Sequence, residues 1–314
     1  MTIAPPPMPR GGVALDRTIP RVRGRLAPEV MFPAGLPDYR TRFETLRTGE
    51  RVRVIESGPS LGEPVVFFPG WGCPVWDFHA TMPAVAAAGF RAIAVDLRGH
   101  GLSDMPVAPD RYTTDAMIAH AIDILDALAV SRAAMIGHSM GGAVATHLAL
   151  CAPERVRALA LFSPIGCGTA RAPELGRMLS PPWSIPLLRA SLRRSVVAAG
   201  LRILYGDNTL VTARNVDEYW APSQFDGFVP AMRALLHGFR WSCFTADEMS
   251  KVGVPGLLVC GSRDPIVYRP RDRVPAPAHW QELVIEGVGH LPHDEAPDVV
   301  NRAVVELLTG LPND

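Results

Sequence analysis

The sequence predicts an α/β fold: a mostly parallel sheet of eight strands, covered by helices on both faces, with a helical segment inserted after the sixth strand. Three observations carry that prediction. Continuous apolar runs such as Val65-Val66-Phe67-Phe68, Ala92-Ile93-Ala94-Val95 and Leu257-Leu258-Val259 read as strands buried on both faces. Segments with apolar residues at helical spacing separate them, so strand and helix alternate. Between about residues 166 and 250 the alternation stops, in a Pro-, Leu- and aromatic-rich segment too long for a loop.

Residues 1–38 are rich in Pro and Arg without a periodic apolar pattern, and are expected to form an extended or flexible arm. The alternating runs 42–47 and 51–56 flank Thr48-Gly49-Glu50 and predict a β-hairpin. Strand 64–68 ends in Pro69-Gly70-Trp71-Gly72. A helix is expected from about Trp76 to Ala88, with Pro83 at a break or in a first turn. Strand 91–95 runs into a loop from Asp96 to Asp104. Thr113 or Thr114 can cap a helix with Ile118, Ile122, Leu125 and Leu128 on one face.

The strand Ala133-Ala134-Met135-Ile136 leads into Gly137-His138-Ser139-Met140-Gly141-Gly142 and an Ala/Leu-rich helix. Strand 156–162 follows. After the insertion, strands 256–260 and 282–285 complete the sheet. A last helix from about Pro297 to Thr309 aligns Val300, Val304, Leu307 and Leu308, and stops at Gly310. The expected organisation is therefore an arm (1–38), a core (39–165 and 251–314) and a helical cap (166–250).

Composition narrows the function classes. In 314 residues the 31 basic and 31 acidic side chains balance, so no nucleic-acid or membrane partner is expected. Lys251 is the only lysine and has no activating neighbour in sequence, which argues against Schiff-base chemistry. The five cysteines (73, 151, 167, 243 and 260) lack Cys-x-x-Cys spacing and suggest reduced thiols in a cytoplasmic setting. No metal-ligand spacing, secretory leader or long apolar span is evident. No metal or cofactor is expected, and the chain is taken as a monomer or homodimer.

Chemistry concentrates at Gly137–Gly142. A serine with glycines two residues before and after it, on a turn from strand to helix, is the nucleophile-elbow pattern. The serine must adopt strained φ/ψ to raise its hydroxyl above the sheet, and the glycines let strand and helix cross closely.

Five motifs in order extend this pattern: Pro69-Gly70-Trp71-Gly72, Asp96-Leu97-Arg98-Gly99-His100-Gly101-Leu102-Ser103, Gly137–Gly142, Gly261-Ser262-Arg263-Asp264, and Gly289-His290 with Glu295 and Pro297 downstream. Over residues 42–310 the chain resembles the α/β-hydrolase fold family, in its capped serine-hydrolase branch. That family usually has a His before the glycine of the first motif. Pro69 stands there, which implies altered loop geometry rather than lost chemistry.

The resemblance implies roles. Ser139 is the expected nucleophile, His290 its base and Asp264 the acid that orients the imidazole. The strand ending in Phe162-Ser163-Pro164 offers no rival carboxylate, and His293 is the nearest rival histidine. The backbone N–H groups of Trp71 and Met140 are the expected oxyanion donors. The Asp96–Asp104 loop is read as structural, with Arg98 pairing to a carboxylate. Cys73 is read as a small pocket-lining residue.

Seven cap aromatics (Trp183, Tyr205, Trp220, Phe225, Phe228, Phe239 and Trp241) are expected either to line an apolar pocket or to form the cap's own core. Trp183, Trp220, Phe225 and Trp241 are carried forward as candidate substrate contacts, with Gly70 and His138, although packing beside the elbow also accounts for His138. The expected activity is hydrolysis of an ester, or related acyl bond, of a hydrophobic small molecule. Carbon–carbon bond hydrolysis of a diketone-like substrate would use the same triad. A slow-turnover small-molecule receptor is the alternative outside enzymology. Epoxide hydrolases and dehalogenases of this fold need a carboxylate nucleophile, against which Ser139 argues. Perhydrolase or acyl-transfer activity is left undistinguished.

Overall fold

The computed structural model describes residues 31–168, 172–267 and 274–312. Eight strands form one sheet: β1 (Tyr39–Thr45), β2 (Arg51–Ser57), β3 (Pro64–Phe68), β4 (Arg91–Val95), β5 (Ala133–His138), β6 (Val156–Phe162), β7 (Gly256–Gly261) and β8 (Gln281–Ile285). Their order is β1-β2-β4-β3-β5-β6-β7-β8. β2 is antiparallel to both its neighbours, and every other pairing is parallel.

Side-chain alternation along buried strands explains the two-sided core. Val66, Phe68, Ile93, Val95, Met135, Leu159 and Leu161 point into one apolar cluster. Val65, Phe67, Ala92, Ala94, Ile136, Ala160 and Phe162 point into the other.

Helices α1 (Met82–Ala87), α2 (Thr114–Ala127) and α3 (Met140–Cys151) interleave with the strands. Six more, α4 (Ala172–Leu179), α5 (Ile185–Ser191), α6 (Arg194–Leu204), α7 (Ala213–Trp220), α8 (Phe228–Gly238) and α9 (Ala246–Ser250), lie between β6 and β7. The short α10 (Pro292–Glu295) and α11 (Pro297–Thr309) follow β8. Thr113 caps α2 by accepting from the Ala116 N–H. Residues 76–88 do not form one helix. A 3-10 turn, Val75–Phe78, precedes α1, and Pro83 sits in α1's first turn, where its missing N–H costs least. No described helix is long and apolar enough to cross a membrane.

The inserted helices do not pack by themselves. Phe228, Val229, Met232, Leu235, Phe239 and Trp241 belong to the same cluster as the sheet residues Val66 and Leu161. The Asp96–Asp104 loop is a structural knot, as expected. Asp96 accepts from Val75 and Leu102 N–H groups, and Arg98 pairs with Glu50 at 2.7 Å.

Of the extended or flexible arm expected over residues 1–38, residues 31–38 are described and are anchored to the core; residues 1–30 lie outside the described residues. Met31 and Phe32 are buried. The Phe32 N–H donates to buried Glu218 of α7, and its carbonyl accepts from buried Arg53 of β2. Two apolar residues carry no periodicity, so their anchoring was invisible in the pattern. Phe32→Ala removes a side chain packed against Trp76 and Tyr39. Thermal or urea denaturation is expected to show a loss of about 3–5 kcal/mol; a change within experimental error would mean the segment is not anchored.

Candidate functional site

Ser139 stands between β5 and α3 with φ 51° and ψ −116°, a left-handed backbone rare for a residue with a side chain. The crossing is tight. A Cβ on Gly137 would lie 2.6 Å from the Gly142 Cα, and one on Gly141 would lie 2.0 Å from the Phe68 carbonyl oxygen. Backbone hydrogen bonds fix the turn: the Ser139 N–H donates to Phe162, and its carbonyl accepts from Ala143 and Ile165.

The three side chains assigned from sequence come together. Ser139 Oγ is 3.0 Å from His290 Nε2, and His290 Nδ1 is 2.8 Å from Asp264 Oδ2. All three residues are buried. Asp264 Oδ1 also accepts from the backbone N–H groups of Ile266 and Val267. Burial opposes its charge, but His290 and these hydrogen bonds outweigh burial and hold the carboxyl down at about 2. A carboxylate fixed this way makes His290 Nδ1 the donor and leaves Nε2 free to accept from the Ser139 hydroxyl.

The loop after β3 faces the elbow. The Gly70 N–H is taken by Asp77 Oδ2 at 3.2 Å. Among the described residues, the N–H groups of Trp71 and Met140 have no protein acceptor. Those are the two donors expected from sequence, and Met140 opens α3, where the helix dipole favours an anion.

Asp77 was not singled out in the sequence, yet it is the hub of the site. It is fully buried behind the elbow. Oδ2 also binds His138 Nδ1 at 2.7 Å, while Oδ1 accepts from the Tyr219 hydroxyl at 2.9 Å. His138 Nε2 points at the His290 carbonyl oxygen, 3.0 Å away. A carbonyl can only accept, and Asp77 already accepts from two further donors. With Asp77 ionised, the direction in which its pKa is shifted, its oxygens can only accept, so both nitrogens of His138 carry protons and the ring is an imidazolium.

The directions of the pKa shifts agree. Burial opposes both charges, but His138 holds Asp77 well below the usual carboxylate range, and Asp77 raises His138. His293 also lies against the hub, with Nε2 3.4 Å from Asp77 Oδ1, and burial lowers its pKa. It does not contact Ser139, which removes it as the rival base. Cys73, Asp77 and His138 offer ligand atoms within 4.8 Å of one another. In the structure Asp77 and His138 satisfy each other.

A cavity of about 280 Å³ opens above Ser139. Trp71, Ile165, Leu236, Trp241, Ile266 and Leu291 supply its apolar wall, and Cys73, His138 and Tyr219 its few polar atoms. Trp71 and Trp241 meet edge to face at 5.9 Å.

Four candidate contacts are corrected: Trp183, Trp220, Phe225 and Gly70. Trp183 is 77% exposed and faces outward. Trp220 is buried but is not in the cavity wall, and Phe225 packs with Met31, Leu102 and Ala221. A helix turns about 100° per residue, so Tyr219 and Trp220 cannot face the same space. Gly70 sits beneath the floor, where a Cβ would be 3.2 Å from the Ser139 Cβ.

The base is tied to the inserted helices as well. The His290 N–H donates to the Leu204 carbonyl at the end of α6. Glu295 accepts from both Gly289 and Gly206.

Comparison with known proteins fits this geometry. The family model for the alpha/beta hydrolase fold matches residues 63–297. The chain is 31% identical over 265 residues to the dihydrolipoyllysine-residue acetyltransferase component of the acetoin cleaving system of Pseudomonas putida, covering 83% of this chain and 67% of that one. It is 26% identical over 309 residues to epoxide hydrolase A of Mycobacterium tuberculosis, covering 84% and 95%. The solved structure of carboxylesterase CesB from Bacillus subtilis superposes with a TM-score of 0.72 at 22% identity, covering 87% and 92%, which shows a shared fold.

Asp77→Asn removes the partner of a buried imidazolium and is expected to cost roughly 3–5 kcal/mol in denaturation experiments. The pH dependence has a defined sign. His138 is raised above 6.5, so its contribution is complete below that pH and is lost as pH rises through the folded value. Asp77 is lowered from 3.8, so its contribution is present above that pH and is lost as pH falls through the folded value. In Asp77→Asn the alkaline loss due to His138 should flatten; an unchanged profile would contradict the ion pair.

Proposed function

The chain belongs to the alpha/beta hydrolase fold family and is a hydrolase, and from that premise we propose that it cleaves an ester, or related acyl bond, of a hydrophobic small molecule through an acyl-enzyme on Ser139. The observation that carries this reading is the relay Ser139–His290–Asp264 at 3.0 and 2.8 Å, on the floor of an apolar cavity.

His290 Nε2 takes the hydroxyl proton as Ser139 Oγ attacks the acyl carbon. The imidazolium is stabilised by Asp264, and the oxyanion lies between the N–H groups of Trp71 and Met140. His290 then returns the proton to the leaving alcohol. Water, deprotonated by the same imidazole, releases the acid and restores Ser139. No step calls on a cofactor.

The epoxide hydrolase likeness is not carried over, because a hydroxyl stands where that chemistry needs a carboxylate. For a carbon–carbon hydrolase of a diketone bearing a carboxylate, a cationic side chain beside the cavity would be expected. The described lining includes no Arg or Lys.

Steady-state hydrolysis of p-nitrophenyl acyl esters tests the reading. Multiple turnovers are expected, with kcat reduced about 10⁴–10⁶-fold in Ser139→Ala and about 10⁴-fold in Asp264→Asn. A single slow turnover would favour the receptor alternative. Turnover of a vinylogous diketone but of no ester would favour carbon–carbon cleavage. Asp264 stays ionised down to about pH 2, so any acid limb of the rate at higher pH must arise from another group.

A further inference from the structure

Of the thirteen large hydrophobic side chains exposed among the described residues, six fall in the short stretch from residue 178 to 203: Met178, Leu179, Trp183, Leu187, Val196 and Ile203. They are strongly exposed, from 49% for Val196 to 79% for Met178. In α6, Val196, Ala199 and Ile203 are spaced as one helical stripe, and all three face outward.

Charge singles out the same stretch. Residues 175–206 contain five arginines (177, 189, 193, 194 and 202) and no Asp, Glu or Lys. The balanced total of the chain conceals this local excess. Arg189 pairs with Asp226 and Arg194 with Asp217. Arg193 and Arg202 are exposed and have no ion-pair partner among the described residues.

Two of the helices bearing this surface, α4 and α6, also line the cavity. α4 contributes Gly176 to the wall and presents Met178 and Leu179 outside; α6 contributes Leu204 and presents Val196 and Ile203 outside. We infer that the outer face of α4–α6 docks onto an anionic lipid surface, lying in the headgroup region without spanning the bilayer.

Exposed aliphatic side chains and a tryptophan beside five arginines, with Glu174 the one acidic residue in the sequence from α4 to α6, match the chemistry of a negatively charged interface. A purely electrostatic partner such as nucleic acid would leave the apolar stripe in water. The apolar side chains enter the acyl boundary while Arg193 and Arg202 reach lipid phosphates. Substrates dissolved in that boundary would then meet the cavity from the side that α4 and α6 line. This inference stands on the outer surface alone and survives if the ester reading fails.

The test is flotation of the full chain with phosphatidylcholine vesicles, with and without roughly 30 mol % phosphatidylglycerol. Binding is expected only to the anionic vesicles, and should be strongly reduced in high salt. Arg193→Glu/Arg202→Glu should weaken it at least about tenfold. Leu187→Ser/Val196→Ser should weaken it comparably, with the thermal midpoint of each variant checked against wild type.

Absence of wild-type binding, or equal binding to neutral vesicles, overturns the proposal. So does a wild-type dimer in sedimentation that Leu187→Ser/Val196→Ser converts to monomer, because a second copy would then cover the surface. If a variant fails to fold, the wild-type dependence on headgroup charge and salt decides the matter.

Discussion

The left-handed backbone of Ser139 is the constraint around which the site is assembled. Such a conformation costs on the order of 1–3 kcal/mol and persists only where the surroundings over-determine it. Here they do. Phe162 of β6 receives the Ser139 N–H, Ile165 and Ala143 hold its carbonyl, and the chain crosses itself too closely for any residue larger than glycine at 137 or 141. Ser163, at the end of the neighbouring strand, also has positive φ, and the following Pro164 packs under Gly142. The central parallel strands thus end in interlocked turns, and the hydroxyl is raised where the loops after β3, β7 and β8 converge.

Convergence alone would not fix those loops against one another, and Asp77 supplies the tie. One buried carboxylate receives the Gly70 N–H from the loop after β3, the His138 imidazolium from the elbow, and the Tyr219 hydroxyl from α7. His138 passes the link to the backbone of His290. Loop, nucleophile, base and inserted helix therefore share one ion pair. Buried pairs are weak sources of net stability but are costly to break from one side. Asp77 accordingly acts through the groups it orients and touches no reacting atom in the proposed mechanism.

Much of this was legible in the sequence, and the reason is locality. The elbow, the Asp264 turn and the His290 turn each require particular residues within a few positions, because strain and close approach act over that range. The central strands were legible because burial on both faces leaves continuous apolar runs, and β1 and β2 because alternating runs flank a glycine turn. Asp77 was not legible: its side-chain partners His138 and Tyr219 lie 61 and 142 residues away, and Trp76-Asp77-Phe78 has no local signature. The aromatic count of the insertion was visible, but not which face each residue takes. Trp241 reaches the cavity while Trp183 points to solvent. Net charge has the same limit, since a sum over the chain says nothing of how the arginines of residues 175–206 are distributed.

The inserted helices connect the two sides of the account. Leu204 and Gly206 anchor the His290 loop, Leu236 and Trp241 shape the cavity, and the exposed stripe on α6 faces away from both. The central claim remains that one buried hydroxyl has been made nucleophilic. Its most direct measurement is covalent trapping with an organophosphate ester, read by intact-protein mass and peptide mapping. One phosphoryl group per chain on the peptide containing Ser139, absent when His290 is replaced by Gln, is the predicted result. No adduct under conditions where the fold is intact, or an adduct on another residue, would contradict it.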